Sequence, residues 1–254
     1  MGCAGCPDSR IIVNLSLDGV GEKHDRIRGV PGNFDRLLST YRGLRALRSP
    51  NLTVGIHSVI SKHNVGDMDE LVLFALSLRP DSYITEIAEE RVELDTLGSD
   101  VTPSAESYAR AIDSVLELTG SRGLRGISRV TEAFRKSYYE LVKRILAEKT
   151  QVIPCYAGWA SAHIYADGRL WPCCVRADSM ANLRDAGYDF RRAWLSPEAA
   201  RIRRSIFRKE CHCPLANAAY TNMLMNAAIL ASEPLLSDFL AAARAATNAT
   251  KLPC

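Results

Sequence analysis

Five of the eight cysteines fall between Cys155 and Cys213, and this clustering constrains the chain more than any other feature. The remaining three are Cys3, Cys6 and Cys254. The opening MGCAGCPDSR lacks the apolar core of a secretory signal, so the expected location is cytoplasmic. In a reducing compartment structural disulfides are rare, and clustered cysteines more often bind metal or do redox chemistry. Scattered cysteines would instead read as small buried hydrophobes.

Composition sets the outer limits. The 254 residues suffice for one large domain or a domain with an appendage. At 47% apolar and 24% charged the chain has the balance of an ordinary globular protein. A net charge of +3 is too small to argue for nucleic acid or an acidic membrane surface. No run approaches the roughly 18 uncharged apolar residues that span a bilayer, so neither partner is expected.

The N-terminal part alternates strands and helices. Ile11 to Leu17 is β-rich and ends at Asp18-Gly19. After the polar stretch GVGEKHDRIRGVPG, Asn33 is expected to cap a helix with Phe34, Leu37, Leu38, Tyr41, Leu44 and Leu47 at helical spacing. Leu52 to Ile60 reads as a second strand, Asp67 to Leu78 as a helix, and Tyr83 to Ile87 as a third strand. Such alternation implies parallel βαβ units. Three parallel strands leave an uncovered edge, so the sheet reads as half of a larger one.

Helices are expected from Thr102-Pro103 to Thr119, stopped by Gly120, and from Thr131 to about Ala147. The segment WASAHIYADGRLWPCC then reads as a hairpin turning at Asp167-Gly168. Ser196-Pro197 opens a short helix with Leu195, Ala199, Ile202 and Ile206 on one face, and alanine-rich helices follow over 215–231 and 233–246.

A hairpin brings its ends together, and a short helix returns the chain to the same place. Cys155, Cys173, Cys211 and Cys213 can thus converge. Four soft thiolates select zinc or an iron–sulfur cluster. Structural zinc sites usually use two close cysteine pairs; the wide gap from Cys155 to Cys173 favours iron–sulfur, with zinc and inert thiols as the other readings. Cys174 is the rival to Cys173, and His212 is expected to be a bystander. The arginines from Arg191 to Lys209 suit a negatively charged cluster, or simply a solvated helix face. His24, His57, His63 and His163 look isolated, and no catalytic acid or base stands out.

Two stretches resemble a known family. NLSLDGVGEKHDRIRGVPGNF resembles the fourth strand and following loop of radical S-adenosylmethionine (SAM) enzymes. CYAGWASAHIYADGRLWPCC, then NLRD and CHCPLANAAY, resemble their C-terminal SPASM extension, or its shortened single-cluster form, called twitch. The resemblance runs to about Asn226. It implies an α/β fold: an incomplete partial (βα) barrel, strands four to six, over residues 1–150. A small SPASM/twitch-like iron–sulfur domain follows over 151–226, with a helical tail over 227–254.

Residue by residue, the resemblance puts Ser16 near the SAM ribose and amino acid, Arg28 at its carboxylate, and Asn64 on the same rim. It assigns an auxiliary [4Fe–4S] cluster to Cys155, Cys173, Cys211 and Cys213. The implied activity is 5′-deoxyadenosyl radical chemistry on a peptide or small molecule. The alternative is a non-catalytic iron–sulfur or zinc module that recognises a protein or peptide. The family's CxxxCxxC loop is missing, and Cys3 and Cys6 supply only a CxxC. SAM is therefore expected to bind only if an N-terminal barrel half is supplied, by a longer reading frame or by a partner subunit. Met1 abutting the fourth-strand region favours truncation over a split or degenerate enzyme.

Overall fold

The computed structural model describes residues 9–120 and 127–231. Cys3, Cys6, Cys254 and the helix expected over 233–246 lie outside the described residues. The chain is mixed α/β and divides into two compact units. One takes in residues up to Ala88 and resumes at Val101; the other takes in Glu89–Asp100 and everything described from α5 onward.

In the first unit, β1 (Ile11–Ser16), β2 (Leu52–Ile60) and β3 (Ser82–Ile87) form a parallel sheet in that order. Val13 lies against Val54, Leu15 against Ile56, and Ile56 against Tyr83. Side chains alternate across a strand, so Val54, Ile56, Ser58 and Ile60 share a face with Tyr83, Thr85 and Ile87, and all of these are buried. Helices α2 (Asn33–Ala46), α3 (Met68–Ser77) and α4 (Ala105–Thr119) supply the other half of this core through Leu37, Tyr41, Leu71, Val72, Tyr108 and Ile112. Full burial of one such aliphatic side chain stabilises by about 1.5–3 kcal/mol.

The opposite face is mixed, carrying Asn14, Ser16, His57, Ser82 and Glu86 beside Ile12, Val59 and Ile84. Gly55 sits at its centre, where a Cβ would strike Asn14 Oδ1 and Ser82 Oγ. Glycine is needed there for a close crossing of side chains.

Strand limits match the sequence patterns to within a residue or two. The stretch expected to be merely polar, however, contains helix α1 (Glu22–Arg28). It ends at Gly29, whose φ of 66° favours glycine. The Asp25 carboxylate accepts from Gly32 N at 2.6 Å and Phe34 N at 2.8 Å, tying α1 to the start of α2. Asn33 does not cap α2; Gly32 holds that position, and the Asn33 amide lies 3.0 Å from His24 Nε2. The cap of α4 is Ser104, whose hydroxyl accepts from Ser107 N at 3.1 Å.

In the second unit, β4 (His163–Ile164), β5 (Arg169–Trp171) and β6 (Ala181–Asn182) form an antiparallel sheet in sequence order. The expected hairpin is present, turning at Gly168 with φ 91°. The third strand is an addition. Around it lie α5 (Ile127–Glu148), α6 (Phe190–Trp194), α7 (Pro197–Phe207), α8 (Ala216–Leu224) and α9 (Ala227–Leu230).

Ser196 caps α7, accepting from Ala199 N at 3.1 Å. Ala199, Ile202 and Ile206 are buried as the spacing predicts, but Leu195 is 62% exposed. It stands before the helix begins and so escapes its periodicity. Ala157, Leu170, Met180, Ala199, Ile202 and Ile206 form a core against which Cys155, Cys173 and Cys211 pack. No described helix is long and apolar enough to cross a membrane.

Candidate metal centre

Cys155 precedes the hairpin, Cys173 follows β5, and Cys211 and Cys213 lie between α7 and α8. The fold brings these four sulfurs within electrostatic range of one another. Cys155 senses Cys211, Cys173 senses both, and Cys213 senses Cys173 and Cys155. Burial pushes the thiols of Cys155 and Cys173 up and that of Cys213 well above the usual range, because desolvation penalises the thiolate.

Hydrogen bonds oppose the burial. Cys155 receives the N–H of Ala157 and the side-chain amide of Asn222; Cys173 receives the N–H groups of Val175 and Arg176; Cys213 receives that of Leu215. Three times, the N–H two residues along turns back onto the sulfur. Cys211 Sγ is approached by side chains instead, with Gln151 Nε2 at 3.8 Å and Arg176 Nη1 at 3.7 Å. Gln151 is buried and anchored, donating also to Cys211 O at 2.8 Å and Ile206 O at 3.0 Å. Asn222 accepts from Tyr156 N at 2.7 Å while facing Cys155.

Cys174 points elsewhere. Its thiol is buried and hydrogen-bonded to Glu93, and burial pushes it up to about 11. The adjacent pair thus differs: Cys173 senses Cys155 and Cys211, while Cys174 is buried in a cluster with Leu215 and Ala218, against which Cys173 and Cys213 also pack. His212 is exposed and lines an open pocket together with Cys155, Cys211 and Cys213.

This donor set fits a sulfur-rich inorganic group. Among the described residues no three His, Cys, Asp or Glu side chains stand close enough to grip a single ion. One zinc with Zn–S bonds of about 2.3 Å would need thiols nearly in contact.

The cation at the sulfurs is Arg176 rather than one of the arginines between Arg191 and Lys209. Among those, Arg203 has a different task. It is 5% exposed, donates from Nε to Gly158 O at 2.5 Å, and stacks 4.4 Å from Trp194 and 5.2 Å from Trp159. It thereby pins the loop that follows Cys155. Gln151, Arg176, Asn222 and Arg203 were not legible as site residues, since each acts on a segment 29–66 positions away.

In the first unit, Ser16 ends β1 and is exposed. Arg28 Nη2 lies 2.6 Å from Asp18 Oδ2, so its guanidinium is already engaged. Asn64 is 1% exposed and does not face a rim. Its amide donates to Asp18 O and Val59 O, both at 2.9 Å, and its Oδ1 accepts from Ser61 N at 2.7 Å. Three of the histidines taken as isolated have neighbours. His24 Nδ1 accepts from Asp18 N at 3.2 Å, His57 Nε2 faces Glu86 at 3.7 Å, and His163 stacks on Trp171 at 5.5 Å.

Comparison with known proteins agrees with this geometry. Residues 155–214 match the SPASM family, an iron–sulfur cluster-binding domain. An Fe-coproporphyrin III synthase of Methanosarcina barkeri (strain Fusaro / DSM 804) is 32% identical over 110 residues, 42% of this chain and 26% of that protein. An AdoMet-dependent heme synthase of the same strain is 22% identical over 198 residues, 74% of this chain and 54% of that protein. The chain thus spans about half or less of these relatives. Cys155, Cys173, Cys211 and Cys213 all fall inside the segment that matches the SPASM iron–sulfur cluster-binding domain, and the chain is similar over part of its length to these two synthases, one of them AdoMet-dependent.

Proposed function

We propose that Cys155, Cys173, Cys211 and Cys213 hold one auxiliary [4Fe–4S] cluster in a chain that forms part of a radical SAM enzyme acting on a peptide or small molecule. The observation that carries this reading is the mutual approach of these four sulfurs, each met by N–H donors, while the Cys174 thiol bonds to Glu93. When bound, such a cluster supplies one-electron redox chemistry.

The protein's own part is to hold and insulate. Backbone N–H groups of Ala157, Val175 and Leu215 favour the thiolate form at three sulfurs. Gln151 and Asn222 orient the Cys211 and Cys155 segments, and Arg203 fixes the loop between Cys155 and the hairpin. Leu170, Met180, Ile202 and Ile206 exclude water from behind the site.

The parallel sheet is proposed to be strands four to six of the barrel, with Ser16 and the mixed face beside it turned toward SAM once the N-terminal half is present. Arg28 can reach a SAM carboxylate only by leaving Asp18. With no cysteine between Cys213 and Cys254, the single-cluster twitch form is the version proposed. The two relatives' names point the small-molecule option toward an iron porphyrin or its precursor.

Anaerobic reconstitution of the chain tests the reading. About four irons and a broad band near about 400 nm are expected; one colourless zinc per chain instead would refute it. Mixing with the missing barrel half and assaying 5′-deoxyadenosine tests the enzyme assignment, and a well-formed complex without product counts against it.

A further inference from the structure

The four sulfurs differ in what faces them. Cys155, Cys173 and Cys213 take backbone N–H groups, and a carboxylate, Glu89, lies near Cys213. Cys211 is the sulfur that faces a cationic side chain, with Arg176 Nη1 3.7 Å from its Sγ. The same charge reaches Cys155.

Arg176 is held in this pose. Its Nη1 donates to Ser205 Oγ at 2.8 Å, Ser205 in turn donates to Ile202 O at 2.9 Å, and Nη2 pairs with the Asp178 carboxylate. The turn that sends the chain back carries Ala177 at φ 51°, with its N–H on Cys173 O at 3.0 Å. The side chain is 21% exposed, so little water screens its charge. A non-glycine residue at positive φ costs free energy, and here the turn places a guanidinium over a sulfur.

Resting on the assignment of a cluster to these cysteines, we infer that Arg176 is a positioning residue that raises the cluster's reduction potential through Cys211. An electron added to the cluster makes the thiolates more negative. A charged N–H aimed at one of them then binds more strongly in the reduced state, which favours reduction. Asp178, on the far nitrogen, tempers this effect.

The test is a redox titration of the anaerobically reconstituted full chain, followed by absorbance and electron paramagnetic resonance, with iron counted in every sample. Arg176→Met is expected to keep its iron and titrate at lower potential than the wild type. Arg176→Lys, which keeps the charge but loses the planar fork, should fall between them, and Asp178→Asn should shift the other way. A structural role alone would not move the potential in opposite directions at these two positions. Equal potentials for Arg176→Met and the wild type overturn the inference. Should Arg176→Met lose its iron, Arg176→Lys decides: a lower potential supports the role and an unchanged one refutes it. A wild-type chain that takes up no iron fails the cluster assignment itself, a different result from a cluster whose potential ignores Arg176.

Discussion

The two units solve the problem of a buried polar group in opposite ways. In the parallel-sheet unit every link of the Asp18 circuit meets a protein partner: Val59 N at 2.8 Å and Arg28 on the carboxylate, Asn64 on the carbonyl, His24 on the N–H. In the hairpin unit the half-buried sulfurs are met by N–H donors, with the Arg176 guanidinium at Cys211. Burial keeps these thiols protonated while the N–H groups beside them favour the thiolate, a balance that a bound metal would tip.

Removing a sulfur should break this contrast most severely. Cys173→Ala or Cys213→Ala is expected to lower iron from about four per chain to near zero, read by iron assay, and to lower the stability of the hairpin unit. Next comes Asn64→Ala, which leaves Asp18 O, Val59 O and Ser61 N without their partner. It should cost about 2 kcal/mol in denaturant unfolding while the iron content stays at the wild-type level.

A pH series sharpens the difference further. Burial lowers the His24 pKa from 6.5, so the folded unit keeps the ring neutral where the unfolded chain takes up a proton. This contribution is intact above about pH 6.5 and is lost as pH falls toward the folded value. Thermal unfolding should show a fall in Tm between about pH 7 and about pH 5 that is smaller in His24→Gln. The smallest effect belongs to Cys174→Ala: roughly 1 kcal/mol of stability and no loss of iron, although this cysteine adjoins a proposed ligand.

How far the sequence could be read depends on the range of each interaction. Strand β2 and helix α7 were legible because alternation and the Ser196-Pro197 cap are local signals. Helix α1 was not, since its few apolar residues give no periodicity and Asp25 stabilises it by reaching across the turn to Gly32 and Phe34. Strand β6 has two residues and exists only through pairing with β5. Cysteine spacing singled out Cys155, Cys173, Cys211 and Cys213 with Cys174 as a rival to Cys173, and no local pattern foretold that the Cys174 thiol would bond to Glu93. Arg176 and Gln151 lie 35 and 60 positions from Cys211, beyond any pattern in the chain.

The strip Glu89–Asp100 belongs to the hairpin unit although both its neighbours in sequence belong to the sheet unit. A gene fragment opened at residue 151 would therefore leave behind Glu89, beside Cys213, and Glu93, the hydrogen-bond partner of Cys174. Harvesting the cluster-binding half as a separate protein calls for grafting that twelve-residue ribbon onto it, and a simple truncation should yield a poorer metal binder than the whole chain.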